Sequence, residues 1–254
     1  MSHEHPATVL SASVRPVDAL FAPRSVAVLG ASDDVRKWGN WLARGALRGT
    51  HRRPAYLVNR RARTVLGQPA FPSLRELPGP ADLVAIAVPA SGLDAAIDDA
   101  LAAGARAIVA ITAGSHESPA AAAAQVSLAA RVRAAGAVLL GPNCLGVMDA
   151  GESLELATAD LPAGAIGLIS QSGNLALELG LLAERDGLGF SRFASLGNQI
   201  DLGATDLLVA LAGHEPTRLI ALYVEDFGDG RAFARAARAA VDAGKPVVAL
   251  AIAR

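Results

Sequence analysis

Apolar residues along this chain fall into short unbroken runs, separated by longer stretches with helical spacing. Ser25-Val-Ala-Val-Leu-Gly30 reads as a buried strand closing on glycine, followed by the loop Ala31-Ser32-Asp33-Asp34 and a helix from Gly39 to Leu47. Further strands are predicted at Ala55–Val58, Asp82–Val88, Arg106–Ile111 and Ala137–Leu140, with helices at Leu93–Ala103 and Pro119–Ala135. Ser118 is placed to cap the second of these helices, with Pro119 in its first turn. A second block follows, with strands near Ile166–Ile169, Phe190–Ser195, Leu219–Val224 and Val247–Leu250. Ala103-Gly104, Ala135-Gly136 and Ala243-Gly244 each close a helix before a strand, so each glycine is expected in a left-handed cap.

This alternation predicts an α/β protein with two doubly wound parallel sheets. The expected organisation is a tail over residues 1–16, a Rossmann-like domain over 17–146 and a second α/β domain over 147–254. Gly141-Pro-Asn-Cys-Leu-Gly146 and an irregular stretch to Pro162 are expected to join the two.

Composition narrows the function classes. The 254 residues are 52% hydrophobic but only 4% aromatic, which suits Ala-, Val- and Leu-rich parallel strands under Ala-rich helices. A net charge of −1, without basic tracts, argues against nucleic-acid or anionic-membrane binding. One cysteine gives no disulfide framework, and no leader or membrane-spanning run is read, so a cytoplasmic location is expected. No metal site is expected: His3 and His5 could bind a metal, but a histidine pair in a loose tail is more often without function.

Two turns carry the candidate chemistry. The first follows Gly30, but the next glycine is Gly39, so the dinucleotide fingerprint G-x-G-x-x-G is broken. At the end of the second strand, Asn59-Arg60-Arg61 replaces the acidic residue of NAD binders. A guanidinium there suits a ribose phosphate, as in NADP or coenzyme A. The second turn is Ser170-Gln-Ser-Gly173, where strand passes directly into helix. Ser172 is a good N-cap, and the N-terminus with two hydroxyls makes an anion site.

With these segments in hand, the sequence resembles the NDP-forming acyl-CoA synthetases, which include the α subunit of succinyl-CoA synthetase and ADP-forming acetate–CoA ligase. The resemblance runs from about Leu20 to the last residue. It rests on the two turns, on Val58-Asn-Arg-Arg61, Ile86-Ala-Val-Pro89 and Ile111-Thr-Ala-Gly114, and on Gly141-Pro-Asn-Cys-Leu-Gly146 and Tyr223-Val-Glu225. It implies a CoA-binding domain followed by a flavodoxin-like ligase domain. The reaction implied is acid, CoA and nucleoside triphosphate (ATP or GTP) to acyl-CoA, nucleoside diphosphate and phosphate, through an acyl phosphate and a phosphohistidine.

By this resemblance, Gly30, Ala31, Ser32 and Gly39 lie against CoA phosphates, with Asn59 and Arg61 beside them. Arg61 stands where a lysine is usual. Pro89, Thr112 and Gly114 line the pantetheine path, and Asn143 with Cys144 sits near the reactive end. Ser170, Ser172 and Gly173 cradle the phosphoryl group, and Glu225 orients the histidine. The family's histidine follows the strand at Val247–Leu250, and no residue to Arg254 supplies it. The chain is therefore expected to bind CoA without catalysing alone, in an oligomer with an ATP-grasp domain or subunit supplied elsewhere. A non-catalytic CoA- or nucleotide-sensing module and an NADP-dependent Rossmann protein remain as alternatives. A serine hydrolase is discounted, because the turn is not G-x-S-x-G.

Overall fold

The computed structural model describes residues 15–112 and 118–252. In chain order the first block contains α1 (Asp18–Phe21), β1 (Val26–Leu29), α2 (Trp38–Arg48), β2 (Ala55–Val58), β3 (Thr64–Val65), β4 (Gln68–Phe71) and β5 (Leu83–Ile86). It continues with α3 (Leu93–Ala102), β6 (Ala107–Ala110), α4 (Pro119–Ala134) and β7 (Val138–Leu140). The second block contains β8 (Gly146–Asp149), β9 (Leu154–Ala157), β10 (Ala163–Ser170), α5 (Gly173–Arg185), β11 (Phe190–Ser195), α6 (Ala204–Ala212), β12 (Leu219–Val224), α7 (Gly230–Asp242) and β13 (Val247–Ala251).

The first sheet has the order β3-β4-β2-β1-β5-β6-β7, parallel except for the antiparallel edge strand β3. Chain direction along the sheet reverses between β1 and β5, and a crevice opens beyond their carboxyl ends. The second sheet runs β13-β12-β10-β11-β8-β9. Its four later strands are parallel, and its reversal point lies between β10 and β12. Central strands β5 and β6 are buried at every position, as strands covered on both faces must be.

The stretch from Gly146 to Pro162, expected to be irregular, is instead an antiparallel pair: β8 and β9 bond to each other, and β8 also bonds to β11. Its strands are only four residues long and carry Asp149 and Glu155, so periodicity alone gave no strand signal. Each charge has a partner: Asp149 accepts from Arg192 Nε at 2.6 Å and Glu155 from Arg48 Nε at 2.5 Å.

The three Ala-Gly helix ends behave as expected. Gly104, Gly136 and Gly244 have φ of 80°, 70° and 78°. At each, the glycine N–H and the next N–H bond back to carbonyls in the last turn, for example Gly104 to Leu101 and Ala105 to Ala100. Ser118 Oγ accepts the Ala121 N–H and caps α4.

Two glycines let backbones touch where side chains would keep them apart. A Cβ on Gly39 would overlap the Gly30 carbonyl oxygen, and one on Gly45 would overlap the Glu155 carbonyl oxygen. Helix α2 is thereby pressed against the turn after β1 and against β9 of the second sheet. Buried Arg53 adds a polar tie, donating to the Pro23 and Glu152 carbonyl oxygens at 2.9 and 2.7 Å.

At the amino-terminal end of the second sheet, Asp149, Arg192, His214 and Thr217 form a largely buried cluster. His214 Nδ1 lies 2.9 Å from Thr217 Oγ1, and its Nε2 lies 3.8 Å from Asp149 Oδ2. Burial lowers the His214 pKa, the Arg192 guanidinium adds to this, and Asp149 opposes it.

Two predictions follow from the packing. Gly39→Ala should destabilise the protein by about 3 kcal/mol. Gly104→Ala, with nothing within 4 Å of its Cβ, should cost only about 1 kcal/mol of left-handed strain. Urea unfolding of both variants measures the difference, and equal costs would exclude the close-approach role of Gly39. For His214, the folded protein takes up its proton at lower pH than the unfolded chain does. Stability should therefore fall as pH drops from about 7.5 through the ordinary histidine value near 6.5. That slope should flatten in His214→Gln.

Candidate active-site cleft

The turn after β1 is held by its own backbone and by two asparagines. Gly30 sits at φ 93°, and the Gly30 and Ala31 N–H groups both donate to the Val58 carbonyl, at 3.0 and 3.2 Å. Asn40 Nδ2 donates to the Ser32 carbonyl at 2.9 Å, and Asn59 Nδ2 to the Ala31 carbonyl at 2.8 Å. Asn59 Oδ1 accepts the N–H groups of Arg61 and Ala62. In this structure Asn59 therefore shapes the loop, with both ends of its amide bonded to backbone. Asn40 does similar work, a role its sequence position did not reveal.

Both acids of the loop have internal partners. Asp33 accepts the Leu66 N–H at 2.6 Å. Asp34 is paired with Arg36, whose hydrogen bonds bring its pKa down to about 2. Lys37, Arg60 and Arg61 are exposed and have no ion pair among the described residues. The mouth of this crevice is therefore cationic, and α2 begins there without a side-chain cap.

Along the carboxyl edge of the same sheet, Pro89 is exposed at the end of β5, just before a single 3-10 turn over Ala90–Gly92. Thr112 is buried, and its hydroxyl donates to the Val88 carbonyl at 2.6 Å. Its own carbonyl accepts the Asn143 N–H, and Asn143 is exposed at φ 60°. Gly114 lies outside the described residues, as do His3, His5 and His116. Cys144 is buried beside Asn143, with Sγ 3.3 Å from the Ala110 carbonyl oxygen. Burial pushes its thiol up to about 12, so it stays protonated.

The second turn is more tightly wired than its sequence suggests. Ser170 is wholly buried and donates to the Ser172 carbonyl at 2.6 Å. Ser172 Oγ accepts the Leu175 N–H at 3.3 Å as the N-cap of α5, which starts at Gly173. Other N–H groups of that first turn have no acceptor within the helix. Gln171 joins the two strands of the reversal point. Its N–H donates to the Tyr223 carbonyl, and its Oε1 accepts the N–H groups of Glu225 at 2.8 Å and Asp226 at 3.2 Å. Glu225 is half-buried at the end of β12. Gln199, at φ 54°, steadies the same corner by donating to the Asp226 carbonyl at 3.1 Å. No motif singles out Gln171 or Gln199 as braces; their role depends on a strand distant in sequence.

A cleft of ≈ 380 Å³ joins the two edges. Its lining includes Trp38 at the start of α2, Asn143 and Cys144 from the first block, and Gln171, Ser172 and Gly173 from the second. Asn198 N–H donates to the Pro142 carbonyl at 2.9 Å, and Gly197 lies against Pro142 and Asn143, which fixes one loop on the other. A separate cavity of ≈ 340 Å³ near β8, β9 and α5 contains none of the predicted residues. His214 lies in the turn between α6 and β12, at the opposite end of the strands from Glu225.

Residues 24–150 match the CoA binding domain family, and residues 163–254 match the succinyl-CoA ligase-like flavodoxin domain. The α subunit of ADP-forming acetate–CoA ligase II from Pyrococcus furiosus is 34% identical over 236 residues, covering 92% of this chain and 51% of the relative. A crystal structure from Pyrococcus horikoshii superposes with a TM-score of 0.88 at 30% identity, covering 93% of this chain and 55% of the other. The dinucleotide-forming acetyl-coenzyme A synthetase 1 of Ca. Korarchaeum cryptofilum, solved with phosphate and ADP, gives 0.86 at 30% identity, covering 93% and 52%. This chain spans about half the length of these relatives. It belongs to the NDP-forming acyl-CoA synthetase family, of which it carries the CoA-binding domain and the flavodoxin-like ligase domain.

Proposed function

We propose that this chain is the CoA-binding part of an NDP-forming acyl-CoA synthetase, which joins a carboxylic acid to CoA with cleavage of a nucleoside triphosphate. The observation that carries this reading is the cleft lined from both sheets, which puts Asn143 and the N-terminus of α5 in one space. CoA phosphates would lie beside the turn from Gly30 to Ser32 and against the start of α2, where the N–H groups of the first helical turn and the helix dipole favour anions. Arg61 would take the ribose 3′-phosphate. The pantetheine arm would pass Pro89 and the Thr112 turn and deliver the thiol to Asn143.

On the facing edge, Ser172, Gly173 and the first turn of α5 would stabilise the transferred phosphoryl group, with Ser170 holding the turn in shape. A helix N-terminus does this without a metal ion. Phosphate and ADP in the Korarchaeum relative fit a phosphoryl step in such enzymes. Glu225 would orient the phosphorylated histidine, which neither His51 nor His214 can supply from its position. We assign that histidine, the ATP-grasp part and the acyl substrate to the remainder of the longer enzyme. In the final step the CoA thiolate attacks the acyl carbon of the acyl phosphate, the carbon–oxygen bond breaks, and inorganic phosphate leaves.

Calorimetric titration tests the first half of this reading. CoA should bind, and Arg61→Ala should weaken it about tenfold, near 1.4 kcal/mol, while leaving dephospho-CoA unaffected. Equal loss for both ligands would remove Arg61 from the 3′-phosphate. The second half predicts that the 254-residue chain, incubated with ATP labelled at the γ-phosphate, takes up no label by itself. Self-labelling would place the phosphorylated group within this chain.

A further inference from the structure

Trp38 is an aromatic side chain that the core does not use. It is the first residue of α2, it is 53% exposed, and among the described residues no other ring pairs with it. Its position is nevertheless fixed. The next residue, Gly39, is in backbone contact with Gly30, and the Lys37 and Asn40 N–H groups bond back to the Asp34 and Lys37 carbonyls at 3.0 and 2.9 Å. A large apolar surface held in place at the wall of a cleft is what ligand pockets present.

The cleft has two kinds of lining. The first block contributes Trp38, Ile111 and Cys144, and the adjoining Leu145 packs against Gly173. The second block contributes Ser172, Gly173 and Asn174, where the first turn of α5 favours an anion. A ligand that fits both has an anionic part and an apolar part. Among the described residues, no lysine, arginine or histidine lines the cleft. A second carboxylate would be desolvated there without a counter-charge, which disfavours dicarboxylic acids. Acetate falls short in the other direction, because a methyl group leaves most of the indole face in water. An aromatic ring laid on the indole covers that face and adds the offset or edge contact that ring pairs favour.

We propose that this cleft selects a monocarboxylic acid carrying an aromatic ring, and that Trp38 is the residue that recognises the ring. The inference rests on the reading that CoA binds here. Uptake of the acid belongs to the longer enzyme, but its acyl group ends on the CoA sulfur, which that reading brings to Asn143. Trp38 and Asn143 line the same space of ≈ 380 Å³. The thioester carbonyl then sits by Asn143 and the ring lies on the indole. The acyl phosphate that precedes it fits in the same sense, with its phosphoryl group at the start of α5 and its ring on Trp38. Trp41, one turn further along α2, lines a different cavity with Arg44 and Asp160 and takes no part.

Calorimetric titration of the 254-residue protein with CoA, acetyl-CoA, hexanoyl-CoA, succinyl-CoA and phenylacetyl-CoA tests this. Phenylacetyl-CoA should bind about tenfold more tightly than acetyl-CoA, and more tightly than hexanoyl-CoA or succinyl-CoA. In Trp38→Ala the preference for phenylacetyl-CoA over acetyl-CoA should disappear, and in Trp38→Phe most of it should remain. In Trp41→Phe, which leaves Trp38 as the one tryptophan, emission should move to the blue with phenylacetyl-CoA and much less with CoA. Equal affinity for acetyl-CoA and phenylacetyl-CoA, hexanoyl-CoA or succinyl-CoA binding as tightly as phenylacetyl-CoA, or a preference that survives Trp38→Ala would overturn the proposal and leave CoA binding intact. So would an equal loss for CoA and every thioester in Trp38→Ala, because the indole would then hold the CoA moiety itself. If neither CoA nor any thioester binds, the CoA reading fails and this inference falls with it.

Discussion

Contact between backbones, with no side chain interposed, is the constraint on which the two-domain arrangement depends. Gly39 brings α2 against the Gly30 carbonyl, and Gly45 brings the same helix against the Glu155 carbonyl of β9. One helix thereby fixes the shape of the turn after β1 at one end and the position of the second sheet along its side. The Arg53 contacts and the Arg48–Glu155 pair add directional bonds to a geometry that sterics already select. Because interiors are close-packed, displacement at one contact is felt at the other. The cleft between the sheets is therefore a property of α2 as much as of its lining.

Most of the architecture can be read from local pattern. The bounds expected for Ala55–Val58, Phe190–Ser195 and Leu219–Val224 are the bounds observed, because each is an apolar run between turn residues. The left-handed glycines at 104, 136 and 244 were legible for the same reason. Pairs whose stability comes from distant partners were not. Strands β8 and β9 need β11 beside them and Arg192 opposite Asp149, while β3 and β4 are short and interrupted by Pro69. At the candidate site, residue types singled out the two turns, but how their side chains are wired was hidden. Asn59 spends its amide on Ala31, Arg61 and Ala62, and Gln171 spends its carbonyl on Glu225 and Asp226. Both networks close through residues 28 or more positions away, beyond the reach of any periodicity.

Under the proposed function the two reversal points would also differ in how they meet an anion. At the first, cationic side chains surround a loop whose own acids have internal partners, which favours a highly charged, solvent-facing group such as a nucleotide phosphate. At the second, the buried Ser170 hydroxyl, the half-buried Ser172 hydroxyl and a helix end replace the cations, which would suit a group that must arrive, be stabilised briefly and leave. A strong ion pair there would hold a phosphoryl group too long; dipoles would hold it without trapping it.

Cys144 is the chain's one thiol, and it stands in the wall of the cleft to which the proposed function would bring the CoA thiol. An ionised cysteine there would compete for the acyl group by thioester exchange and leave the protein acylated. With its proton retained and its sulfur turned to the Ala110 carbonyl, this side chain is nucleophilically silent. A cleft proposed for thioester synthesis can thus carry sulfur in its wall without that sulfur becoming an acyl acceptor.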